Sequence, residues 1–160
     1  MKFVHLVEIN DPFNPLIDPL TREQLWQGLV LRAESPQAFI PYLEGCVITA
    51  RSPDGMTREL FYGNLTVRDA VTFTPQQAVR YQVPTQQDIP ASTLVMSIEE
   101  PQPDWLHVRF EYDDGNAEPE NSEEAFYNSY RKSAYEEADI DTIRIIRKLA
   151  GAGRFGASLN

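Results

Sequence analysis

The chain has 160 residues, with 24 Asp and Glu against 14 Lys and Arg, for a net charge of −10. That acidity repels phosphate backbones and anionic lipid surfaces, so nucleic acid is excluded as an expected partner. One cysteine, Cys46, rules out an internal disulfide and a cysteine-built zinc site, and no run approaches the roughly 18 apolar residues of a membrane span. A single cytoplasmic domain without membrane insertion is expected over residues 1–150, with residues 151–160 as a flexible tail.

Residues 2–9 alternate as a strand, with Phe3, Val7 and Ile9 on one face and His5 on the same face. The opening MKFVHLVEIN reaches Glu8, Asn10, Asp11 and Pro12 too soon for a signal peptide. The Pro-rich segment NDPFNPLIDPL reads as a loop. Thr21 and Gln24 then fit a capping box, and Leu25, Trp26, Leu29, Val30 and Ala33 follow at helical spacing. Ser35 and Pro36 open a second, shorter helix, PQAFIPY, that Pro41 ends.

From residue 45 the period changes to two, and turn signals at SPDG, Gly63-Asn64, TPQQ, PTQQDIP and PQPD divide the run. Strands are predicted near 45–52, 56–62, 65–74, 78–84, 92–100 and 105–112. Inward sets are Leu65, Val67, Val71 and Phe73; Val79, Tyr81 and Val83; Leu94, Met96 and Ile98; and Leu106, Val108, Phe110 and Tyr112. Each of these strands has one apolar and one mostly polar face, which marks a sheet covered on one side. The acidic segment DDGNAEPEN lacks the calcium-loop register and reads as a solvated loop.

Ser122 is the predicted N-cap of a helix over 122–150, with Glu123 and Glu124 in its first turn. Tyr127, Tyr130, Ala134, Ala138, Thr142, Ile145 and Leu149 form the predicted buried stripe. The order of elements, one strand, two short helices, six meandering strands and a long helix, predicts an α+β fold. In it a curved seven-stranded antiparallel sheet grips the last helix around an apolar cavity.

Few motifs survive inspection. Gly151, Gly153 and Gly156 match G-x-G-x-x-G but follow a helix, where no dinucleotide fingerprint operates. Asn64-Leu65-Thr66 is a chance glycosylation triplet. Glu99 and Glu100 are consecutive in a strand and point apart, so they form no catalytic dyad. His107 shares a face with Trp105, Arg109 and Glu111 and is expected to meet solvent. Three polar residues stand out on inward faces. His5 is either a core histidine bonded to a carboxylate or backbone, or a pocket group. Asp69 must be paired, protonated, facing a wet cavity, or turned outward by a bulge. Arg131 lies near the helical stripe, either snorkelling or at the pocket mouth.

The phrases FVHLVEIN, LTREQLWQGLVLRA, SIEEPQPDWLHVRFEY and KSAYEEADIDTIRIIRKLA resemble the AtaL-like family of the START/Bet v1-like (SRPBCC) superfamily. The resemblance implies a helix-grip fold with two short helices closing one end, and supplies no catalytic motif. The expected function is binding of a small, largely hydrophobic, aromatic or polyketide-like ligand, by a monomer or weak homodimer. The alternative is a cyclase, aromatase or dehydratase acting on a carbonyl-rich metabolite, with His5 and Asp69 or Arg131 as its polar set. Trp26, Val30, Phe39, Phe61, Val71, Phe73, Tyr81, Met96, Ile98, Val108, Phe110, Tyr127, Tyr130 and Ala134 are expected to wall the cavity, with His5, Asp69 and Arg131 as polar members. No motif requires a cofactor or a metal.

Overall fold

A computed structural model describes residues 1–156. The strands are β1 (Lys2–Glu8), β2 (Gly45–Ser52), β3 (Gly55–Tyr62), β4 (Leu65–Thr74), β5 (Ala78–Val83), β6 (Ser92–Gln102) and β7 (Trp105–Asp113). Helix α1 (Arg22–Glu34) and a short 3₁₀ turn (Pro36–Ala38) lie between β1 and β2, and α2 (Ser122–Gly151) closes the chain. One seven-stranded sheet results, in the order β1-β7-β6-β5-β4-β3-β2, antiparallel throughout. This is the helix-grip arrangement.

Local chemistry explains the boundaries. Thr21 accepts from the Gln24 amide while the Gln24 side chain accepts from the Thr21 amide, so a complete capping box starts α1. The second helix shrinks to one 3₁₀ turn. Helix α2 is capped one residue earlier than predicted, by Asn121, whose side chain accepts from the Glu124 amide. Gly63 and Asn64 form the tight turn between β3 and β4, with Gly63 at φ 59°.

Three rows of inward side chains cross the sheet and organise its concave face. The first is His5, Phe110, Met96, Val79 and Phe73; the second is Phe3, Tyr112, Leu94, Tyr81, Val71 and Met56. A third pairs Asp69 with Arg58. Against the first row pack Leu25, Leu29 and Ala33 of α1 and Ile143, Ile146 and Ala150 of α2, giving one core. A fully buried side chain of this size contributes about 1.5–3 kcal/mol. The two helices approach closely because Gly28 has no Cβ; one placed there would lie 2.6 Å from the Ile146 side chain.

Two predictions about the chain's end are corrected. The buried face of α2 is Asp139, Thr142, Ile143, Ile146 and Ala150, with Tyr135 half-buried on the same side, and is rotated by about one residue from the predicted stripe. The tail is not without packing partners: Phe155 is buried in the core cluster. Its last residues, 157–160, lie outside the described residues. No helix among the described residues is long and apolar enough to cross a membrane.

Candidate functional site

Beyond the second row the concave face is not filled. A cavity of about 390 Å³ opens there, lined by Arg32, Pro36 and Ile40 from the helical segment and by strand residues that include Leu60, Val67, Val83 and Leu94. Its polar members include Arg32, Arg58, Asp69, Tyr62, Tyr81, Tyr112, Asp114, Arg131 and Tyr135.

Its polar pole is built by β3, β4 and β5. Arg58 and Asp69 are directly opposed across β3 and β4, and Arg58 Nε donates to Asp69 Oδ1 at 2.9 Å and Nη2 to Oδ2 at 2.5 Å. The remaining Arg58 nitrogen donates to the Ala33 carbonyl at 2.8 Å, tying the pair to the end of α1. Burial alone would lower the Arg58 pKa, but the hydrogen bond and charge of Asp69 overcome it and raise the value above the usual range. Asp69 therefore faces inward and is paired, so the bulge alternative is excluded.

Tyr81 sits beside this pair. The Arg32 and Arg58 guanidinium carbons lie 5.2 and 5.1 Å from its ring centroid. The residue is 5% exposed, and its hydroxyl is the one buried side-chain polar atom among the described residues without a hydrogen-bond partner. An unpaired buried hydroxyl costs free energy, which a ligand oxygen or nitrogen in the cavity would recover. Tyr62 completes this end, its phenol pKa raised first by burial and then by Tyr42.

A second group lies toward α2. The Tyr112 hydroxyl donates to Asp139 Oδ1, and Asp139 Oδ2 lies 3.0 Å from His5 Nδ1. Burial raises the Asp139 pKa despite the opposing hydrogen bonds from Tyr112 and His5, and burial followed by the Asp139 charge raises that of Tyr112. The Tyr112 ring stacks on Tyr135, with centroids 4.2 Å apart. At the mouth, Arg131 donates to Asp114 Oδ2 at 3.2 Å and to the Tyr135 hydroxyl at 3.1 Å.

Of the residues expected to wall the cavity, Asp69, Tyr81 and Arg131 line it. His5 is the carboxylate-bonded histidine, one residue behind the wall. Trp26, Phe39, Val71, Met96, Ile98, Val108 and Phe110 are buried in the filled core, with Val30 and Phe73 packed partly against it. Tyr127 and Tyr130 are 64% and 70% exposed and Ala134 is exposed, because rotation of the stripe turns them outward. Phe61 alternates with the inward Leu60 and Tyr62, which places it on the outer face. His107 is on the outer face as predicted yet buried there, its ring 5.3 Å from Trp105 and its Nε2 3.9 Å from Glu8. The polar set of the alternative, enzymatic reading is not assembled: His5 pairs with Asp139, Asp69 with Arg58, and Arg131 with Asp114.

Arg58, Tyr112 and Asp139 were not singled out as site residues. Arg58 was legible as a charge between Met56 and Leu60 on an inward face. Asp139 was hidden by the wrong helical phase.

Solved structures with the same fold include the di-domain ARO/CYC StfQ from the steffimycin biosynthetic pathway, with a TM-score of 0.70 at 12% identity over 94% of this chain and 50% of that one. The Zhui aromatase/cyclase from Streptomyces sp. R1128 gives a TM-score of 0.62 at 12% identity, over 96% and 94% of the two chains. Ara h 8.0201 gives 0.57 at 12% identity, over 95% and 98%. The chain spans about half the length of the di-domain proteins it resembles. No curated protein sequence matches it. The family described as acetylaranotin biosynthesis cluster protein L, AtaL, matches residues 7–153, so the chain belongs to the AtaL family.

Proposed function

We propose that the protein binds a small, largely apolar, oxygen-bearing molecule of aromatic or polyketide-like shape in this cavity. The observation that carries the proposal is the buried, partnerless hydroxyl of Tyr81, whose ring lies against two guanidinium groups at one pole of a mainly apolar space. Such an arrangement matches ligand sites in general, where a few polar groups orient an apolar body. The aromatase/cyclases among the structural neighbours support an aromatic shape class for the ligand. The single cysteine and the acidic charge support a cytoplasmic protein, and a monomer or weak homodimer is the working state.

Titration with 2-naphthol and with naphthalene tests the reading. 2-Naphthol should bind several-fold more tightly, and Tyr81→Phe should remove the difference. Failure of both compounds and of a broad aromatic panel would overturn it.

A second reading, cyclase, aromatase or dehydratase chemistry on a carbonyl-rich metabolite, is favoured by the same pole. Donors and positive charge held in place beside a cavity can stabilise a developing oxyanion.

A further inference from the structure

Binding alone makes no use of the hydrogen-bonded chain that leads from Tyr112 in the cavity wall to Asp139 and His5 behind it. Tyr112 lines the cavity and donates to Asp139, which is 2% exposed, and Asp139 meets His5, whose side chain is 20% exposed. A continuous hydrogen-bonded path therefore runs from the cavity wall to a group with access to solvent. Burying a carboxylate is costly, and apolar residues of similar volume would join β1, β7 and α2 at least as well. The fold also fixes what lies opposite. Tyr112, Leu94 and Tyr81 are successive members of one row, so the two tyrosines stand two strand spacings apart, roughly 10 Å at the backbone. Both side chains rise from the same concave face on either side of Leu94, so a ring-bearing ligand seated over Leu94 can touch both.

We propose that Tyr112, Asp139 and His5 form a proton relay through which the pocket removes and returns a proton at the acidic α-carbon of a ring-bearing, enolisable ketone; the inference rests on the binding reading above. The α-C–H bond breaks and its electron pair forms the C=C bond of an enolate, while the carbonyl π pair moves onto oxygen. The released proton bonds to the Tyr112 oxygen as the phenol's own proton passes to the Asp139 carboxylate, which becomes neutral. The enolate oxygen accepts from the Tyr81 hydroxyl beside Arg32 and Arg58. When His5 takes up its Nε2–H tautomer, the bare Nδ1 accepts the Asp139 proton while Nε2 releases its own to water. Tyr112 is the catalytic residue, whereas Asp139 and His5 act through it. The groups acting on Asp139 are Tyr112 from β7, His5 from β1 and Arg32 from α1, with Tyr135 one turn away on α2.

The test follows exchange of the C1 hydrogens of 2-tetralone in D₂O by proton NMR, with 2-naphthol titration as an independent measure of binding. Wild type should accelerate exchange above the buffer rate. Tyr112→Phe, which keeps the ring stack, should slow exchange at saturating 2-tetralone at least tenfold, in line with the roughly 10²–10⁴-fold usual for general acid–base catalysis. Asp139→Asn should lose the rise of exchange with pH, and His5→Gln should shift it. Should Asp139→Asn fail to fold, Tyr112→Phe decides. Wild type that binds 2-naphthol without accelerating exchange, or Tyr112→Phe that exchanges at the wild-type rate, overturns the relay alone. Absence of 2-naphthol binding overturns the pocket reading and the relay with it.

Discussion

Arg58 and Asp69 occupy directly opposed positions of β3 and β4, and both side chains are buried in a two-pronged ion pair at the edge of the cavity. Removing one partner leaves the other charge uncompensated in the interior. Arg58→Leu should therefore cost about 3–5 kcal/mol of stability in denaturant unfolding. The double variant Arg58→Met with Asp69→Leu should recover most of that loss, while ligand binding stays impaired. A double variant no more stable than the single one would show that the pair is itself required for folding.

Tyr81→Phe should have the opposite effect on stability. It deletes a hydroxyl that has no partner, so unfolding should require more denaturant, by about 1–3 kcal/mol, without ligand. A loss of stability would reveal a protein partner for that hydroxyl.

Asp139 makes stability depend on pH in a direction opposite to most carboxylates. Burial raises its folded pKa above the unfolded value, so the folded state keeps a proton that the unfolded chain has lost. Its contribution is present in full below the unfolded value, roughly pH 4, and declines as pH rises toward the folded value. The stability of wild type minus that of Asp139→Asn should fall over this window and then level off. A pH-independent difference would contradict the raised pKa.

Arg131 is already engaged by Asp114 and Tyr135, and Asp114 is also held by the terminal amine of Met1. The guanidinium charge is thus largely answered before a ligand arrives. Arg131→Met should weaken a carboxylate-bearing aromatic ligand only a few-fold relative to its neutral analogue, short of the tenfold that a free charge-assisted bond of about 1.5–3 kcal/mol confers. Calorimetric titration of 2-naphthoate against 2-naphthol measures the ratio, and a tenfold change would show that ligands displace Asp114.

The strands were legible almost to the residue because alternation and turn chemistry act locally. The predicted and observed boundaries differ by at most two residues, at the end of β6. The site was less legible. Asp69 announced itself as a charge on an apolar face, but its partner could be identified only once β3 and β4 were in register. On α2 the aromatic side chains of Tyr127 and Tyr130 drew the predicted stripe toward solvent. The true inward face carries Tyr135, Asp139 and Thr142, whose polar atoms conceal its amphipathic pattern. His5 shows the same limit: its inward orientation was readable, but Asp139 lies 134 positions away in the chain.

The row of Phe3, Tyr112, Leu94, Tyr81, Val71 and Met56 divides the concave face into a filled half and an empty half. Most of the apolar packing lies on one side of that boundary and the cavity on the other. Residues lining the empty half can change without opening voids in the packed half, so selection can alter what is recognised while the scaffold persists. Such a partition lets a fold diverge widely in sequence, as seen in the 12% identity that accompanies a TM-score of 0.70.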